Sequence, residues 1–245
     1  MTRHKGVAVV TGAANGIGQA YAGRLALDGF DIAVADVVDA AATRALVEFE
    51  GRRFLSSIVD VTSPADTSRF AAQVEQELGP VSALVNNAGI YPWKSFEETD
   101  YALWRKVIGV NLDGTFLMCK AFVPGMIARE MGRIVNVAST TFWLNVPQMT
   151  AYIASKGGII GFTRALASEV GSHGVTANVI APGLTNTKAM HGVSEAMFEF
   201  LPKQQAIPRV IEPSDLAGVV SFLCSADSGF VTGQTIATDG GQVRN

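Results

Sequence analysis

The chain has 245 residues, 48% hydrophobic and 17% charged, a composition that describes a globular protein able to bury a substantial core in one large domain or two small ones. A net charge of −3 with no Lys/Arg cluster excludes a basic face for nucleic acid, and no uninterrupted apolar run is read as long enough to span a bilayer. Cys119 and Cys224 lack metal-ligand spacing and form no disulfide framework, so no metal is expected. With no signal-like apolar core near the start, a reducing, cytoplasmic setting is expected.

In chain order, Gly6 to Thr11 reads as a buried strand, followed at once by Gly12-Ala-Ala-Asn15-Gly16-Ile17-Gly18 and a helix that Asp28-Gly29 closes. A second strand, Asp31 to Asp36, ends in a carboxylate eighteen residues after Gly18. Strand, glycine turn, helix, strand and acid is the order of a dinucleotide site. The glycines admit a pyrophosphate close to the backbone, and the helix N-terminus offers free N–H groups. The alternation continues with a helix over 41–50, a strand over 53–59 ending in Asp60-Val61, and a helix from Pro64 to Leu78. Strand 81–85 runs into Asn86-Asn-Ala88-Gly89, and a long helical stretch spans 101–131, with Pro124-Gly125 expected to kink or break it. A strand over 133–139, a helix over 151–171, a strand over 175–181, a helix around 216–223 and a strand over 234–238 complete the pattern. The expectation is one α/β domain over 1–245, a doubly wound parallel sheet of about seven strands with helices on both faces.

Tyr152 and Lys156 lie four residues apart near a helix start, hence on one face. A nearby ammonium favours the phenolate, so Lys156 is expected to lower the pKa of Tyr152 towards neutrality. Ser139 sits at a strand's carboxyl end, where open α/β sheets place their ligands. Taken singly, each residue reads as ordinary: Lys156 as a solvated charge, Ser139 as a loop hydroxyl beside Thr140 and Thr141, and Asn111 as a helix brace.

Together, Thr11-Gly-x-x-x-Gly-Ile-Gly18, Asp60-Val61, Asn86 to Gly89, Asn111, Ser139, Tyr152-x-x-x-Lys156 and Pro182-Gly183 resemble the short-chain dehydrogenase/reductase family over residues 6–241. The resemblance implies a catalytic tetrad of Asn111, Ser139, Tyr152 and Lys156. Tyr152 would be the general acid/base, Lys156 would tune it and hold the nicotinamide ribose, Ser139 would polarise the substrate oxygen, and Asn111 would order a water relay. It implies cofactor contacts from Gly12, Asn15, Gly16, Ile17, Gly18, Asp36, Asp60, Val61, Asn86, Ala88, Gly89, Tyr152, Lys156, Pro182, Gly183, Thr185 and Thr187. Thr185 departs from the apolar residue usual there. Asp36 would bind the adenosine ribose and repel a 2′-phosphate, and Asn15 and Val37 stand where NADP-using members carry a basic residue, so the expected cofactor is NAD.

The residues expected around the substrate include Tyr91, Thr140, Phe142, Trp143, Met149, Leu184, Met190 and Met197, an apolar and aromatic set with no Arg or Lys for an acid. Residues 185–210 read as a substrate lid, or equally as a packed excursion. The closest likeness within the family is to NAD-dependent 1-phenylethanol dehydrogenases, with some likeness to pyridoxal dehydrogenases. Open alternatives are a 3-oxoacyl thioester reductase, a sugar alcohol dehydrogenase, and a non-catalytic NAD-sensing protein on the same fold. The family implies a homotetramer with a small-molecule substrate. Gly157, Gly158 and Gly161 serve either close helix approach between subunits or local packing.

Overall fold

The computed structural model describes residues 4–187 and 200–244. Seven parallel strands form the sheet: β1 (Val7–Thr11), β2 (Asp31–Asp36), β3 (Phe54–Ile58), β4 (Val81–Asn86), β5 (Gly132–Val137), β6 (Val175–Pro182) and β7 (Thr235–Thr238). Their spatial order is β3-β2-β1-β4-β5-β6-β7, so the order in which strands are added reverses between β1 and β4. The crevice outside the carboxyl ends at that switch point is where such sheets bind ligands.

Helices cover both faces, which is why β1 is buried along its whole length rather than on alternate residues. Ala8 and Val10 point to one face, under α1 (Gly16–Asp28), α2 (Ala41–Phe49) and α7 (Pro213–Leu223). Val7 and Val9 point to the other, under α3 (Pro64–Glu77), α5 (Gly114–Ala128) and α6 (Thr150–Val170). Fully buried Leu25 and Leu216 on the first face, and Phe70 and Phe122 on the second, contribute about 1.5–3 kcal/mol each by leaving water. Local signals set several boundaries. Ser63 Oγ accepts the Asp66 N–H at 3.2 Å, with Pro64 opening α3, and Gly29 ends α1 at a φ of 112° that favours glycine.

The long helical stretch departs from expectation. α4 (Tyr101–Ile108) passes into α5 through a π-helical turn, Gly109–Asp113, while the helix runs on through Pro124. The irregularity expected at Pro124-Gly125 therefore lies at Asn111. By length and composition, Tyr101–Ala128 meets the measure of a membrane span, which the sequence reading did not credit. Its Met118, Phe122 and Met126 pack into the core beneath the sheet, as in a core helix.

A buried polar chain fixes α6 against the sheet. Asn86 Nδ2 donates to Asn136 Oδ1 at 2.8 Å, and Asn136 Nδ2 donates to Thr163 Oγ1 at 2.9 Å. The glycines of α6 divide. A Cβ on Gly157 would lie 2.8 Å from the Phe142 ring and one on Gly158 2.7 Å from Leu112, so both serve packing within the chain, whereas Gly161 has nothing within 4 Å.

Candidate active site

One cavity of about 300 Å³ runs along the carboxyl ends of β1, β4, β5 and β6. At its β1 end lie Gly12, Asn15, Gly16, Ile17 and Gly18. Gly12 and Gly16 have φ of 63° and 60°, the left-handed region that favours glycine. A Cβ on Gly18 would sit 2.3 Å from the Gly12 carbonyl oxygen, so the turn closes tightly only around glycine. Asn15, the N-cap of α1, makes no side-chain capping bond, and the first turn carries no acid. The leading N–H groups of α1 thus face the cavity without a side-chain partner, a setting that suits a phosphate. The residues present fit a dinucleotide.

Asp36 ties this turn to the end of β2. Its Oδ2 accepts the Ala14 N–H at 2.8 Å and its Oδ1 the Val38 N–H at 3.2 Å. Across the switch point, Thr11 Oγ1 accepts the N–H groups of Asn87 and Ala88 at 3.0 and 2.9 Å. Asn87 Nδ2 returns bonds to the carbonyls of Thr11 and Gly12 at 3.0 and 2.8 Å. Asn87, which the sequence reading passed over, lines the cavity together with Gly89. Asp36, Asp60, Val61, Asn86 and Ala88 are not among the lining residues. Asn86 is turned into the polar chain under α6. Asp60 Oδ1 accepts the N–H and hydroxyl of Thr62, and Val61 packs beside Gly114. In an Asn-Asn pair successive side chains point to opposite faces, and the pattern alone does not say which faces the ligand.

At the centre stand Ser139, Tyr152 and Lys156. Lys156 is buried, donates to the Val137 carbonyl at 2.7 Å, and places Nζ 5.5 Å from the centroid of the Tyr152 ring. Burial brings its pKa down to about 8. The Tyr152 phenol is pushed up to about 12, chiefly by burial and slightly by Tyr91, with the Ser139 hydroxyl pulling it down. This corrects the expectation of a phenol brought to neutrality by Lys156. The groups that act on the phenol are its burial, Ser139 and Tyr91, and with burial the largest of them Tyr152 is protonated at neutral pH. Asn111, fully buried in the π turn, accepts the Ile90 N–H at 2.8 Å and donates to the Ile90 carbonyl at 3.0 Å and to Ser155 Oγ at 2.9 Å. Its carboxamide braces the loop carrying Gly89, the structural role weighed against a water relay.

Beyond Tyr152 the wall is apolar: Tyr91, Trp93, Leu144, Val146, Met149, Leu184 and Leu201. The Tyr91 ring meets that of Tyr152 edge-on, 6.2 Å between centroids. Thr140, Pro182, Gly183, Thr185 and Thr187 also line the cavity, Thr140 Oγ1 donating to the Pro182 carbonyl at 3.2 Å. Phe142 and Trp143 do not line it. After Ser139 the chain makes a 3₁₀ turn, Thr140–Phe142, whose three residues point about 120° apart. Phe142 is carried out over Gly157, 43% exposed and edge-on to Trp143, which packs with Leu112 and Ile160 against the buried cluster of Ala138, Ile159, Val179 and Ala181. Met190 and Met197, with residues 188–199 of the expected 185–210 lid, lie outside the described residues.

Gln242, also missed, reaches the cavity from the C-terminal end. The buried Asp239 carboxylate accepts the N–H groups of Gly241, Gln242 and Val243 at 3.0, 3.2 and 2.8 Å, and so holds the turn that follows β7. Asp239-Gly-Gly is the only signal of that turn in the sequence.

Known proteins resemble this chain along nearly its whole length. A family model described as enoyl-(acyl carrier protein) reductase matches residues 12–242. The chain is 39% identical over 239 residues to the (2S)-[(R)-hydroxy(phenyl)methyl]succinyl-CoA dehydrogenase subunit BbsD of Thauera aromatica, covering 96% of each chain. It is 39% identical over 249 residues to a short-chain dehydrogenase/reductase of Armillaria gallica, covering 97% of this chain and 95% of that one. A crystal structure assigned as a short-chain alcohol dehydrogenase of Sinorhizobium meliloti superposes with a TM-score of 0.94 at 36% identity, covering 98% and 97% of the two chains. A glycine turn at the β1–β4 switch point, a Tyr-x-x-x-Lys pair beside a strand-end serine, and likeness along nearly the whole chain agree: this protein belongs to the short-chain dehydrogenase/reductase family, oxidoreductases that bind a nicotinamide cofactor.

Proposed function

We propose that the enzyme interconverts a neutral aryl secondary alcohol and its ketone, with NAD as cofactor. The observation that carries this reading is the continuity of the cavity, which joins the glycine turn, the Ser139–Tyr152–Lys156 cluster and an apolar, aromatic wall. Lys156 is the one cation among the described lining residues, and it is committed to Val137 beside Tyr152. A substrate carboxylate or phosphate would find no partner, whereas an aryl ring meets Tyr91, Trp93, Leu144 and Met149. The first relative described above, named for dehydrogenating a hydroxy(phenyl)methyl group, supports an aryl carbinol. Its name also carries a CoA thioester, and an aryl hydroxyacyl thioester is the second reading.

When bound, the nicotinamide supplies the acceptor of hydride in alcohol oxidation and its donor in ketone reduction. The N–H groups opening α1 would hold the pyrophosphate, and Asp36 the adenosine ribose. Tyr152 gives its proton to the carbonyl oxygen in reduction and takes one from the alcohol in oxidation. Ser139 donates a hydrogen bond to the same oxygen, where negative charge develops. The apolar wall keeps water from the reacting carbon.

The test is NADH formation from NAD⁺ and racemic 1-phenylethanol, beside NADP⁺ and beside 3-hydroxybutyryl-CoA. Turnover of the aryl alcohol with NAD⁺ is the expected result, and turnover of the thioester alone would sink the aryl reading. Asp36→Ala should cut the preference for NAD⁺ over NADP⁺ about tenfold or more, since it removes both the ribose acceptor and the charge that repels a 2′-phosphate. An unchanged cofactor ratio would contradict that role. Leu144→Ala and Met149→Ala should each lower kcat/KM for 1-phenylethanol by roughly tenfold to a hundredfold, the worth of a few buried methylenes, with NADH affinity held within about twofold. Equal losses in both measurements would refute the wall assignment, and Phe142→Ala serves as the outward-facing control.

A further inference from the structure

Ser139 ends β5 in extended backbone, and its Oγ caps the 3₁₀ turn by accepting the Thr141 N–H at 3.2 Å. The Thr141 hydroxyl lies 3.0 Å from the same oxygen and donates to it. Thr141 lines the cavity as well, and among the described residues Ser139 Oγ is the hydrogen-bond partner of its hydroxyl. A serine hydroxyl has two lone pairs and one proton. With both lone pairs taken by Thr141, the proton is all that Ser139 can still offer. The cavity that Ser139 and Tyr152 both line is open to that proton. The neighbouring Thr140 has a different task, its hydroxyl being committed to Pro182.

We propose that Thr141 is a positioning residue, which holds the Ser139 hydroxyl as a hydrogen-bond donor towards the reacting oxygen. The inference rests on the proton-handling roles given to Ser139 and Tyr152 above. Without the Thr141 hydroxyl, Ser139 keeps its capping bond but regains a free lone pair. It can then rotate to accept as well as donate, and its stabilisation of developing negative charge is diluted. The pull of Ser139 against burial on the Tyr152 phenol agrees with a serine oriented to donate.

The test compares Thr141→Val, which keeps the shape and loses the hydroxyl, with Thr141→Ser, which keeps the hydroxyl. With NAD⁺ and 1-phenylethanol, Thr141→Val is expected to lower kcat about tenfold with KM within twofold, and Thr141→Ser to restore it. In a Ser139→Ala background the same Thr141→Val change should cost nothing further, because the residue acts through Ser139. A second readout needs no turnover: the [¹³Cζ]tyrosine resonance of Tyr152, identified by its loss in Tyr152→Phe. It should move in Thr141→Val and stay in place in Thr141→Ser. Equal shifts in both variants, no shift in either, or an undiminished cost in the Ser139→Ala background would overturn the proposal. If wild-type enzyme fails to oxidise 1-phenylethanol, the aryl-alcohol reading fails by itself, and the resonance still decides for or against Thr141.

Discussion

Tyr152→Phe is expected to lower turnover at least a thousandfold in both directions while leaving NADH affinity within about twofold, since general acid–base catalysis alone contributes about 10²–10⁴. The phenol lines the cavity and is protonated at neutral pH, burial pushing its pKa up to about 12. The substitution removes one oxygen and leaves the ring packed edge-on to Tyr91. The same pKa sets the pH dependence. Reduction needs the protonated phenol and should run undiminished through neutral pH. Oxidation needs the phenolate, so its rate should rise with pH through the alkaline range and fall away in acid. Stopped-flow measurement of both directions against pH checks this, and a variant keeping more than a tenth of wild-type turnover would remove Tyr152 from the chemistry.

Lys156→Met is expected to separate stability from activity. Burial brings this ammonium from 10.5 to about 8, equivalent to roughly 3 kcal/mol against the charged form at about 1.36 kcal/mol per unit. The folded pKa lies below the unfolded one. Between pH 8 and 10.5 the unfolded chain therefore binds more protons, and stability rises with pH across that window; below pH 8 the whole penalty is present. Methionine removes the penalty and also the bond to the Val137 carbonyl, which offsets about 1 kcal/mol. The net is about 2 kcal/mol at pH 7, or roughly 4–8 °C in Tm for a chain of this size. The gain should shrink above pH 8 and vanish by about pH 10.5, while turnover falls a hundredfold or more with the charge beside Tyr152 gone. Calorimetry across this range checks it, and a Tm that falls at pH 7 would mean that the hydrogen bond outweighs desolvation.

What the sequence disclosed was what short-range pattern encodes. The alternation of apolar strands and helices, the glycine turn closing on Gly18, and the four-residue spacing of Tyr152 and Lys156 are local, and the structure assembles them at the switch point. What it hid depends on tertiary placement. The choice of Asn87 over Asn86 follows from how β4 lies against Thr11. The loss of Phe142 and Trp143 from the wall follows from the tight turn that Ser139 caps, which no run of apolar letters betrays. The pKa of Tyr152 is a matter of burial, and burial is a property of the fold. Gln242 reaches the cavity by way of the turn that the Asp239 carboxylate holds.

The stitching of Thr11 to Asn87 and Ala88 bears on how this enzyme moves. An open sheet with a switch point has a natural seam between its two halves, along which a cleft could breathe during each cycle. Four hydrogen bonds join the two sides there, two converging on one threonine hydroxyl and two spreading from one carboxamide. Parting the seam breaks all four together, with the desolvated groups left unmet. The floor of the cleft is thus tied across its seam, and the amide protons of Asn87 and Ala88 are expected to exchange slowly.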